Sequence, residues 1–171
     1  MKNDSNNNNQ FLTFPDPDLN LIPYYDEVIS VSSGIIETNT ETAPPKSNPT
    51  DYIDTGDFFR DATSAIRHYD NNMMAYPNAC ILALKEITNI QQLIWGHDYV
   101  IETAEYRLTK RIQKSPLPAH ITAYSTNPET YPDGQFVHEP IEILVESIRK
   151  ISLVLGYVVK KCGAGIVNTV K

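Results

Sequence analysis

Cysteine is nearly absent: Cys80 and Cys162 are the only two in 171 residues. Their wide separation fits neither a disulfide framework nor the close spacing of a zinc site, and it points to a reducing, cytoplasmic setting. Cationic charge is scarce too, with 14 Lys and Arg against 21 Asp and Glu and a formal charge of −7. Nonspecific affinity for nucleic acid comes largely from cations, so direct nucleic-acid binding by this segment is not expected. No apolar run is long enough to span a bilayer, and the start, MKNDSNNNNQ, lacks the apolar core of a secretory signal; no membrane association is expected. His68, His97, His120 and His138 show no ligand spacing, and there is no glycine-rich phosphate loop. Neither a metal nor a cofactor is implied.

What is present is β-forming sequence cut by turns. Residues 1–20 are rich in Asn, Asp and Pro and carry too little apolar periodicity to order themselves, so a disordered tail is expected. Residues 21–51 begin as an apolar strand, bend at Ser32-Ser33-Gly34 and continue as a linker broken by Pro44, Pro45 and Pro49. The domain proper is expected over 52–162, with a short tail over 163–171. Within it Ala62 to Tyr69, Cys80 to Leu84, Ile121 to Tyr124, Ile141 to Val145 and Ile148 to Val159 read as short strands. Convincing helical periodicity is lacking, and the class expected is all-β, a coiled, partly barrel-like sheet.

The plainest local structure is the hairpin within WGHDYVIETAEYRLTKRI, Trp95 to Ile112. Tyr99-Val100-Ile101 forms one strand, Glu102 to Glu105 the turn, and Tyr106, Leu108 and Ile112 alternate with polar residues on the return. Lys110 shares the parity of Leu108 and Ile112, so it faces inward with them. Two roles fit such a lysine. It can lay its methylenes on apolar surface and reach water with its ammonium, or it can lose basicity by desolvation and act as a general base beside a hydroxyl nucleophile.

Four pieces, in order, resemble the C-terminal domain of the LexA and phage-repressor type, the self-cleaving serine-lysine peptidases that share a β-ribbon with signal peptidases. Ile22-Pro23 is followed by the small-residue bend Ser32-Ser33-Gly34, where the family carries its Ala-Gly cleavage bond. Asp70-Asn71-Asn72-Met73 stands where the family has its Gly-Asp/Asn-Ser-Met nucleophile turn. Thr109-Lys110-Arg111-Ile112 is similar to the Val-Lys-Arg-Leu around the catalytic lysine. Ile148 to Tyr157 is like the closing strand. Asn72 and Lys110 are 38 positions apart, close to the family's separation of nucleophile and lysine. The resemblance covers roughly Leu21 to Lys160 and implies Lys110 in the general-base position, Asn72 in the nucleophile position, and Ser33-Gly34 as the cleavage-like bond.

The departure at Asn72 removes the hydroxyl, and an amide nitrogen with a delocalised lone pair is no nucleophile. Ser64, the nearest upstream serine, sits on a predicted strand before the turn. A buried ammonium needs partners, and the side-chain oxygen of Asn72 or backbone carbonyls at the bend are the ones expected. The function expected is a non-catalytic dimerisation or interaction module in transcription regulation, a homodimer or a heterodimer with a related repressor. Ile151, Leu153, Leu155, Tyr157 and Val159 share one parity of the last strand, and Val154 and Val158 the other; either a partner or the chain's own core covers the second face. The alternatives are an active self-cleaving peptidase cutting at Ser33-Gly34, and a DNA-binding regulator whose helix-turn-helix part lies outside this chain, since the 20 residues before Leu21 are too few for one.

Overall fold

The computed structural model describes residues 19–26, 48–160 and 167–170, the last four as backbone. Ten strands follow one another: β1 Leu21–Tyr25, β2 Asp51–Asp54, β3 Ser64–Arg67, β4 Ile81–Glu86, β5 Asp98–Glu102, β6 Arg107–Lys114, β7 His120–Tyr124, β8 Ile141–Leu144, β9 Lys150–Lys160 and β10 Val167–Val170. Among the described residues the helical content is two 3-10 turns, Ile90–Gln92 and Val145–Ser147. All strands join one mixed sheet in the order β2-β1-β3-β4-β9-β5-β6-β7-β8, with β10 paired to β9. The chain is therefore mostly β, as the turn-punctuated sequence implies.

The sheet does not close into a barrel; its path ends on β2 and β8. Both edges are short and carry acid: β2 is Asp-Tyr-Ile-Asp with mostly exposed side chains, and β8 has exposed Glu142 and follows Pro140. Charged, short edge strands resist further pairing, which accounts for the open sheet. β2 crosses the expected boundary between linker and domain at 51/52 and pairs antiparallel with β1, Ile22 opposite Ile53.

One pairing is parallel. β1 runs beside β3 in the same direction, Tyr24 opposite Ala65 and Tyr25 opposite Ile66, so both strands leave the sheet at the same end. Asp26, just past β1, accepts hydrogen bonds from Arg67 Nε and Tyr69 OH, both at 2.7 Å. Asp26, the last described residue before position 48, is thereby held beside Tyr69, three residues before Asn72.

β9 is the central strand, with β4 along one side and β5 then β10 along the other. Its side chains enter all three apolar clusters of the core. A bulge opposite Ala83 and Leu84 skips Leu155 between Val154 and Gly156, and parity changes there. Leu155 packs with Val158 against Ile22 and Phe59, while Tyr157 and Val159 join Val154 against Leu82 and Val100. The five-residue face expected from strict alternation is thus split in two. Gly156 is required by packing: a Cβ there would meet Phe59 Cε1 at 2.7 Å.

Candidate functional site

The site is built by the register of two adjoining hairpins. β5 and β6 pair with Tyr99 opposite Lys110, and β6 pairs with β7 with Arg111 opposite Tyr124. One step further along, Lys110 falls opposite Ser125, the first residue beyond β7. Tyr99, Ile101 and Ile112 from the same face lie in one buried cluster, with Leu108 packed against it. Lys110 is only 6% exposed. Its Nζ donates to Ser125 Oγ at 2.5 Å.

Among the described residues no ion pair includes Lys110. Burial holds its pKa below the ordinary 10.5, and the carboxylate of Asp70 works in the opposite direction. A lysine desolvated without a carboxylate partner is the kind that can give up its proton at modest pH. Snorkelling does not describe it, because the head group is turned to Ser125 in a buried setting.

Asn72 is brought to the same place by a strap of hydrogen bonds. Asp70 Oδ1 accepts from the backbone N–H groups of Asn71 and Asn72, at 2.7 and 3.2 Å, and so shapes the turn. The carbonyl of Asn72 then accepts from the N–H groups of Thr126 and Asn127, both at 3.0 Å. Met74 N–H donates to Thr126 Oγ1 at 2.9 Å, and Asn127 Nδ2 donates to the carbonyl of Asn71 at 3.0 Å. Ser125 is thus the residue next to a segment fastened onto the Asn72 turn.

The expected bond between Lys110 and the Asn72 side chain is not formed. Asn72 is 2% exposed, yet its Oδ1 has no hydrogen-bond partner among the described residues. Lys110 is satisfied instead by Ser125, because the β6–β7 register places that hydroxyl across from it. Ser64 lies on β3 and is not in this hydrogen-bond network. Ser33 and Gly34 lie outside the described residues.

Sequence reasoning missed Ser125. The signal was available: counting outward from the Ser115 to Pro118 turn, with Lys114 opposite Ile121, pairs position 110 with position 125. It also missed two features on the opposite face of β6, one of them buried. His68 is 3% exposed, its Nδ1 lies 3.4 Å from Thr109 Oγ1, and its Nε2 has no partner among the described residues. Desolvation lowers its pKa, with Asp70 again opposing. Arg111 is clamped by Asp98, Nε to Oδ1 at 2.8 Å and a second nitrogen to Oδ2 at 3.2 Å, and Tyr76 OH donates to the same carboxylate at 2.9 Å.

Two other features carry no chemistry. A cavity of about 310 Å³ lies on the far part of the sheet, lined by Ile22, Ile53, Phe58, Phe59, Ala83 and Val158, with Asp54 its one ionisable side chain. Cys80 is fully buried and its thiol is pushed up to about 11 by burial, which leaves it a poor nucleophile. Among the described residues, no three His, Cys, Asp or Glu side chains gather as a metal site, and no helix is long and apolar enough to cross a membrane. No family model matches the sequence, and no curated protein sequence matches it.

Proposed function

We propose that the chain is a LexA-like, repressor-type C-terminal domain that serves transcription regulation as a dimerisation and interaction module, and that it has lost self-cleavage through position 72. The observation that carries this reading is the buried Lys110, desolvated and without a carboxylate, one hydrogen bond away from a segment strapped to Asn72. Arg67 and Arg111, both more exposed than Lys110, each hold a carboxylate, and a structural cation buried deeper than they are would be expected to hold one too. The parallel exit of β1 and β3 supports the same reading. Asp26, beside Tyr69, is the last described residue before Ser33-Gly34, and eight residues of chain reach at most roughly 26 Å, the span within which that bond would meet the Asn72 turn.

The interaction role rests on β9. Leu153, Val154, Leu155, Tyr157, Val158 and Val159 are only partly buried although they pack on the core, which leaves apolar surface along the central strand. Sedimentation velocity over a concentration series tests it, followed by co-expression with a repressor of the LexA type. A concentration-dependent dimer, alone or with that repressor, is expected. A monomer at the highest soluble concentration, together with no heterodimer, would remove the interaction role.

A further inference from the structure

With no hydroxyl at position 72, one hydroxyl among the described residues is in contact with the buried lysine, that of Ser125. We propose that Ser125 is a nucleophile activated by Lys110, in a site that accepts acyl and phosphoryl electrophiles. This goes beyond the interaction role, and it does not involve the Ser33-Gly34 bond.

Three observations carry it. Lys110 Nζ and Ser125 Oγ are hydrogen-bonded directly, so a base and a hydroxyl nucleophile are already paired. A charged Lys110 donates along that line; a neutral one accepts the hydroxyl proton along the same line. Exposure differs between the two residues: Lys110 is buried, which keeps the base from water, whereas Ser125 is half-buried and so lies nearer the surface. The third is the setting of Ser125. Thr126 and Asn127 are bound to the Asn72 carbonyl and Thr126 Oγ1 to Met74 N–H, which fixes the backbone that carries the nucleophile.

The step balances without a cofactor. With an ester, Ser125 Oγ bonds to the carbonyl carbon and its proton passes to neutral Lys110. The C–O bond to the leaving group then breaks, the alcohol departs with that proton, and water later releases the acid from Ser125. With diisopropyl fluorophosphate, Ser125 Oγ bonds to phosphorus, fluoride leaves, and Lys110 keeps the proton as an ammonium.

The test uses the full chain and diisopropyl fluorophosphate, read by intact mass and then by peptide mapping, across a pH series within which circular dichroism shows the fold intact. One adduct on Ser125 is expected, forming faster as pH rises. Ser125→Ala should take up none. Lys110→Met and Lys110→Arg should each slow labelling at least about tenfold, the arginine variant because it keeps a donor and a charge but has no proton-accepting state near neutral pH. Lys110→Arg also serves where Lys110→Met does not fold. No adduct on the folded wild type at any pH overturns the proposal, as does an adduct that persists in Ser125→Ala, or equal rates in the wild type and a folded lysine variant.

Discussion

Lys110 and Arg111 are neighbours on one strand and are treated in opposite ways. Arg111 points to one face of β6 and finds Asp98 there, itself 10% exposed and bonded also by Tyr76. Its guanidinium is held protonated above its usual value, chiefly by the hydrogen bond to Asp98. Lys110 points to the other face, is far more deeply buried, and receives a neutral hydroxyl in place of a carboxylate, so burial drives its pKa down. Burial of a cation is tolerated when an anion neutralises it and costs free energy when none does. The difference separates a cation that fastens the sheet from one kept poised to lose its proton.

Breaking the fastened cation should have the larger effect. Asp98→Ala strands Arg111 and the half-buried Tyr76 hydroxyl, and because Arg111 is 44% exposed the loss should be about 2 kcal/mol in urea unfolding. A change below a few tenths of a kcal/mol would show that the pair does not hold the two strands.

The poised cation should respond in the other direction. Below its lowered folded pKa, Lys110 bears the full cost of a buried charge. Between that value and the ordinary 10.5 the unfolded chain binds a proton that the folded chain does not, so stability rises with pH across this window. Lys110→Met is therefore expected to stabilise the fold at pH 7, by an increment that shrinks as pH approaches 10.5. Ser125→Asp sharpens the comparison, because it gives Lys110 the carboxylate that Arg111 already has and should flatten the rise with pH. Urea midpoints measured along a pH series check both, and a destabilised Lys110→Met at neutral pH would place Lys110 with the fastening residues.

The smallest effect is expected at His68, where burial lowers the pKa and Asp70 partly opposes it. The unfolded chain takes up a proton below the ordinary 6.5 that the folded chain resists, so stability should fall as pH drops through that value. His68→Gln, which keeps a polar side chain without a titration near neutrality, should weaken that acid slope in circular-dichroism melts. An unchanged slope would assign the acid response to other groups.

The inward lysine was legible in the sequence because strand parity is local: Leu108, Lys110 and Ile112 alternate strictly, and the strands around them are rich in β-branched residues. What was not legible depends on pairing between distant segments. β2 is Asp-Tyr-Ile-Asp, with no alternation to mark it, and its partner β1 lies some thirty residues upstream, across a proline-rich stretch. The parity change at Gly156 arises from a bulge against β4 and the approach of the Phe59 ring; the glycine inside β9 marks the place, but the partners that make the bulge lie on distant segments. Ser125 was hidden for a related reason. Its role comes from being opposite Lys110, and that follows from a hairpin register, whereas position 72 drew attention through a spacing along the chain.

The measurement that bears most directly on the site is intact mass spectrometry of the wild type and of Asn72→Ser after incubation at neutral and at high pH. Under the proposed function, Lys110 and the Asn72 turn are expected to cut once a hydroxyl stands at position 72, so Asn72→Ser should split after Ser33, faster at high pH, while the wild type stays whole. A wild type that splits after Ser33 would contradict the loss of self-cleavage, and an Asn72→Ser that folds and stays whole at every pH would contradict the assignment of Asn72 and Lys110 to one lapsed catalytic pair.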